Sequence, residues 1–104
     1  MRFVLYQNSA QWLDPENSVK SIESGLKSDK VVFESGDFLI LPEMFSTGFV
    51  TEPSLLSDKN QIIKNQEYTL SWMNGFSGQH GVTVIGSMPY WEDNLLYNRL
   101  VVIS

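Results

Sequence analysis

Short apolar runs alternate along this chain with longer stretches in which apolar residues recur every three or four positions. The first run, Phe3-Val4-Leu5-Tyr6, predicts a buried strand. After a polar loop through Gln11 and Trp12, Asp14-Pro15 has the form of a helix start, with Asp as N-cap and Pro at the first helical position. Val19, Ile22 and Leu26 then fall on one helical face, and the helix should fade near Ser28-Asp29-Lys30. Val31-Val32-Phe33 reads equally as a helix tail or a buried connection. Ser35-Gly36 marks a turn, and Asp37 to Leu41 is apolar after its first residue. A strand without polar alternation is normally covered on both faces, as in a parallel sheet between helices, and Pro42 should end it.

Ser46 to Asn60 is loop-like. A second helical pattern starts near Gln61 and runs through Ile63, Leu70, Met73 and Phe76, weakened by Gly75 and Gly78 and closed by His80-Gly81. Val82 to Ile85 is a β-branched strand, Tyr90 to Asn94 a turn, and Leu95 to Ile103 a fourth strand that should form an antiparallel hairpin with the third. The order β-α-β-α-β-β means an α/β layered fold with a mixed sheet and right-handed crossovers. The last strand has no helix after it to cover the sheet, so residues 1–104 are expected to be the amino-terminal portion of a single, larger domain.

Charge and composition remove several classes of function. Seven basic and twelve acidic residues give a net charge of −5, and the basic ones are scattered, unlike a nucleic-acid surface. The chain has no cysteine, hence no disulfide framework, zinc-thiolate site or thiol nucleophile of its own. No apolar run is long enough to span a membrane, and the N-terminus turns polar too early for a signal peptide, so a cytoplasmic location is the default expectation.

Candidate chemistry centres on Leu39-Ile40-Leu41-Pro42-Glu43-Met44-Phe45-Ser46-Thr47-Gly48-Phe49. This places Glu43 at the carboxyl end of a strand, where open α/β sheets build their sites. Flanking Met44 and Phe45 would desolvate it and suit it to proton transfer; against this stands a plain role capping a helix or pairing with a lysine. His80, the sole histidine, reads as a helix C-terminal residue rather than a catalyst. Asp37, Glu43, Glu92 and Asp93 match no calcium loop, and Glu92-Asp93 reads as a solvated turn. The glycines form no phosphate-cradling loop. Core packing is the expectation for Phe45 and Phe49, and partial burial for Trp12, Trp72 and Trp91.

The segment Leu41-Pro42-Glu43-Met44-Phe45, with Ser46-Thr47-Gly48-Phe49 behind it, resembles the first catalytic motif of the nitrilase superfamily of carbon–nitrogen hydrolases, nearest its omega-amidase branch. Phe3 to Gln7 is similar to the family's opening strand, His80 to Ser87 to its third strand, and Tyr97-Asn98-Arg99 to a Tyr-Asn-Arg at the start of the next. The resemblance implies an α-β-β-α sandwich and a Glu–Lys–Cys triad. In that triad the Glu deprotonates the Cys, the thiolate attacks an amide or nitrile carbon, and the Lys stabilises the oxyanion. By resemblance Glu43 is the triad glutamate, while the lysine and cysteine would fall after Ser104. The same resemblance implies hydrolysis of small ω-amides of 2-oxo dicarboxylic acids, without metal or organic cofactor, by a parent protein that is a homodimer. Residues 1–104 alone should be inactive. A rival reading is a small non-enzymatic α/β binding domain of flavodoxin-like type. Tyr97-Asn98-Arg99 receives no chemical role beyond holding a neighbouring loop by hydrogen bonds.

Overall fold

A computed structural model describes residues 1–50 and 59–104. The elements keep the expected order: β1 (Phe3–Leu5), α1 (Pro15–Ser28), β2 (Phe38–Ile40), α2 (Lys59–His80), β3 (Thr83–Glu92) and β4 (Leu95–Ile103). They build one four-stranded sheet in the order β1-β2-β3-β4. The first three strands are parallel, and β4 runs antiparallel to β3. Successive right-handed crossovers that advance in one direction put both helices on the same face of the sheet. The result is two layers.

The expected start signal of α1 is realised. The Asp14 carboxylate accepts from the Asn17 backbone N–H at 3.1 Å, and Pro15 fills the first turn. Val19, Ile22 and Leu26 are buried against the sheet. Val31-Val32-Phe33 is a connection and not a helix tail: Val31 and Phe33 pack on the core while Val32 faces solvent. Helix α2 starts at Lys59, two residues before the expected position. Its buried stripe is Ile62, Asn65, Thr69, Met73 and Phe76, so Ile62 and not Ile63 leads it. Gly75 and Gly78 lie on its exposed side, and the helix runs through them to His80. Gly81 then takes φ +65° and donates its N–H to Ser77 O at 2.8 Å, the left-handed helix stop. Of the loop expected over 46–60, residues 51–58 lie outside the described residues. Among the described residues, no helix is long and apolar enough to cross a membrane.

Strand pairing corrects three expectations. β2 spans only Phe38 to Ile40, and β1 and β2 are covered on one face alone. Val4, Leu39 and Val84 point toward the helices, whereas Phe3 and Leu5 are 56% and 73% exposed. No described element lies over the other face, and an apolar run specifies a strand that can be buried twice, not one that is. The β3–β4 hairpin is longer than expected. β3 continues past Ile85 to Glu92, and the turn is the two residues Asp93 and Asn94, with φ of 52° and 62°. Positive φ at both central residues matches the right-handed strand twist, which Asp-Asn tolerates. Pro89 is accommodated because β2 has ended by then and β3 has only β4 beside it.

Paired residues across a sheet share a face. Leu5, Ile40, Ile85 and Val102 therefore form a row on the uncovered side. Leu100 adjoins it, and Phe3 stacks on Phe38 with centroids 4.9 Å apart. At the opposite strand ends Asp37, 1% exposed, accepts from the Glu34 N–H at 2.8 Å, the Arg2 N–H at 2.8 Å and the Arg2 guanidinium at 3.1 Å. These donors, the Glu34 N–H foremost, hold its carboxyl below the usual carboxylate range.

Candidate active site

Glu43 lies in the tight turn after β2, at the carboxyl end of the parallel strands. Leu41 continues the ladder by one bond, its N–H donating to Ile85 O at 2.8 Å. The chain then folds sharply. Met44 takes φ +50°, a left-handed conformation that costs a side-chain-bearing residue about 1–2 kcal/mol. The surroundings enforce it. Met44 N–H donates to the buried Ser87 Oγ on β3 at 2.9 Å, and Met44 O accepts from Gly48 N–H at 3.0 Å.

Phe45 is the anchor of this turn, 1% exposed and set against Trp72 with centroids 5.9 Å apart. It lies over Gly86 on β3, where an added Cβ would meet the Phe45 ring at 2.6 Å. Its carbonyl accepts from Asn8 Nδ2 at 3.1 Å. Ser46 Oγ accepts from Thr69 Oγ1 on α2 at 2.9 Å, and Thr47 O from Leu13 N–H at 2.9 Å. The β1–α1 loop, β3 and α2 thus converge on residues 44–47.

Met44 and Phe45 turn into the core and leave Glu43 exposed, so they do not desolvate its carboxylate as the sequence led us to expect. Nor does Glu43 cap a helix or pair with a lysine among the described residues. Glu43 Oε1 accepts from Asn98 Nδ2 at 3.0 Å. Leu41, Glu43, Ser87, Asn98 and Leu100 line a shallow depression of about 250 Å³ on the uncovered face.

Tyr97-Asn98-Arg99 divides between the two faces, as alternation along a strand requires. Arg99 lies on the helix side, 4.1 Å from the Tyr90 ring centroid, and bonds Glu92 at 2.8 Å. This bond holds the Glu92 carboxyl below its usual range and raises Arg99. Asn98 points the other way, to Glu43. Asn98 thus holds the neighbouring loop by a hydrogen bond, as expected of this triplet; that its partner is Glu43 was hidden by a 55-residue separation.

The other candidates do not join the site. His80 ends α2 and packs at a tilt against Phe76, with centroids 4.3 Å apart. Asp37 is at the far strand ends, and Glu92 and Asp93 at the hairpin tip. No three His, Asp or Glu residues among the described ones converge as a metal site would need. Two packing expectations fail: Phe49 is 63% and Trp12 54% exposed, whereas Trp72 and Trp91 are half-buried. Phe45 and Met44 already fill the space beneath the turn, which leaves Phe49 outside.

A strand-end carboxylate on a mixed α/β sheet, held by a strained Pro-Glu-Met turn, narrows the class of protein. Residues 5–104 match the carbon–nitrogen hydrolase family, and the chain belongs to that family. Solved structures that share its fold include the following three. One is XC1258 from Xanthomonas campestris, a CN-hydrolase superfamily protein with an arsenic adduct in its active site: 24% identity, TM-score 0.72, covering 96% of this chain and 35% of that one. The others are two variants of an amidase from Nesterenkonia sp. AN1, of the nitrilase superfamily. A glutamate-to-glutamine variant, with acrylamide added at the active-site cysteine, is 21% identical with TM-score 0.57 over 86% of this chain and 34% of its own. A cysteine-to-serine variant is 22% identical with TM-score 0.57 over 86% and 33%. The chain thus spans about a third of the length of these structures. No curated protein matches it by sequence.

Proposed function

We propose that these residues are the amino-terminal part of an amidase that hydrolyses small ω-amides of 2-oxo dicarboxylic acids, with Glu43 as general base. The lysine and cysteine of the triad are supplied by chain beyond residue 104. The observation that carries the reading is the placement of Glu43: a carboxylate at a strand end, on a turn whose costly backbone conformation is held from β3 and whose side chains are bonded from β4 and α2. Strain of this kind persists only where the surroundings over-determine it, and it gathers at functional sites.

The chemistry needs a base because a free thiol, with a pKa near ~8.5, is mostly protonated at neutral pH. Glu43 takes the thiol proton, the thiolate attacks the amide carbon, and Glu43 returns the proton to the nitrogen, so that ammonia leaves and a thioester remains. Water, deprotonated by Glu43, then cleaves the thioester to the acid, and the proton goes back to the thiolate. Residues 1–104 contain no cysteine and form no thioester, so they are inactive alone. The test is ammonia release from 2-oxoglutaramate by the full-length protein. Glu43→Gln keeps the shape and removes the base, so kcat should fall by about 10²–10⁴-fold, the usual worth of general-base catalysis. An unimpaired Glu43→Gln enzyme overturns the assignment, and turnover by residues 1–104 overturns the division of the triad.

A further inference from the structure

We propose that Asn98 is a positioning residue for Glu43. Its side-chain amide holds Oε1 in place and leaves Oε2, which has no partner among the described residues, to receive the proton. The inference rests on the reading of Glu43 as the base and extends it to a second residue.

Rigidity is the first consideration. Glu43 is on a turn, and an exposed glutamate has three side-chain torsions to fix before it can meet a nucleophile. Asn98 is on β4, whose nine residues pair with β3 from Leu95 to Ile103. It sits opposite Pro89, and its face is set by the pleat. A short side chain on a paired strand is a fixed post. The bond to Glu43 spans 3.0 Å, a full hydrogen-bond contact. Two residues along β3 from Pro89, Ser87 Oγ fixes the backbone of the same turn through Met44 N–H. The side chain and the main chain of the Glu43 turn are thus pegged from neighbouring strands of one hairpin.

The type of donor matters as much as its position. A guanidinium or ammonium at this distance would pair with the carboxylate and weaken it as a base. An amide N–H orients the oxygen and carries no charge. The cation nearest in sequence, Arg99, is turned to the other face and occupied by Glu92 and Tyr90. The remaining ion pairs among the described residues, Arg2–Asp37 and Lys20–Glu16, lie elsewhere. Glu43 is therefore held by a neutral group, as a base should be.

The experiment compares Asn98→Ala, Asn98→Asp and Glu43→Gln in the full-length protein, reading kcat, KM and unfolding temperature for each. Asn98→Ala removes one hydrogen bond to a charged group and should lower kcat about tenfold, with KM little changed. Asn98→Asp keeps the shape but sets a second carboxylate against Glu43, and should lower kcat further, by about a hundredfold. A merely structural role predicts the reverse order, since the isosteric variant would disturb packing least. An Asn98→Asp enzyme as active as Asn98→Ala, or wild-type kcat in both, overturns the proposal. Glu43→Gln separates the two readings: a dead Glu43→Gln with normal Asn98 variants removes only the positioning role, while an active Glu43→Gln removes the base and this proposal with it.

Discussion

Replacing Gly86 by alanine puts a methyl group where a ring already is. The new Cβ would lie 2.6 Å from Phe45 Cε1 and 2.7 Å from Cδ1, against an ordinary carbon–carbon contact of about 3.5–4.0 Å. One of the two must move by about an ångström. Phe45 has little room to do so: it is 1% exposed and backed by Trp72. Nor can the methyl retreat, since Leu41 Cβ lies at 3.5 Å. Overpacking of this kind costs about 1–3 kcal/mol. For a unit of about 100 residues that lowers Tm by at least roughly 4 °C. Because Phe45 is two residues from Glu43, the displaced ring should also misplace the carboxylate, so activity in the full-length protein should fall beyond what the lost stability explains. The assay is thermal and urea unfolding of Gly86→Ala in wild-type and Phe45→Leu backgrounds. The smaller side chain should relieve the clash and recover at least ~0.5 kcal/mol. A Gly86→Ala protein that melts within about 1 °C of wild type would refute the reasoning, since it would mean the ring is free to move.

Three further outcomes are expected. Met73 is wholly buried under the sheet, so Met73→Ala should cost about 2–5 kcal/mol in urea unfolding. Asp37 has a lowered pKa in the folded state, so its contribution to stability is complete above the ordinary aspartate value near ~3.9 and is lost as pH falls through the folded value. The stability gap between wild type and Asp37→Asn should therefore narrow below about pH 4, and a gap that widens on acidification would contradict the sign. Residues 1–104 expressed alone carry exposed Phe3, Leu5, Leu100 and Val102 on one sheet face and should self-associate; light scattering that shows a cooperatively unfolding monomer at high concentration would exclude this.

Local signals in the sequence were enough for element order, the α1 N-cap, the Gly81 stop and the strand that presents Glu43. Each depends on residues close together in the chain. What failed depended on the layer above or below. Apolar runs at Phe3–Leu5 and Phe38–Ile40 could not say how many of their faces would be covered. The α2 stripe was misread because its inward face carries Asn65, Thr69 and Ser77 beside its apolar residues, so counting apolar positions alone selected Ile63. At the site, the strand-end position of Glu43 was legible from the apolar run ending at Pro42, and the loop-holding bond expected of Tyr97-Asn98-Arg99 is made by Asn98. The pairing of these two residues was not legible, because they meet only when β4 is laid beside β3. The strain at Met44 was likewise invisible, since methionine carries no preference for positive φ.

The uncovered sheet face governs how strongly its own polar contacts act. In water, the bond between Asn98 and Glu43 competes with solvent at a dielectric constant of about 80, and exchanging one partner for another gains little. Any layer laid over Leu5, Ile40, Ile85 and Val102 also roofs the neighbouring depression, and the same two atoms then attract each other in a medium that screens far less. Assembly of the sheet and tightening of the carboxylate's grip are on this surface a single event, so the geometry around Glu43 sharpens only when the molecule is closed.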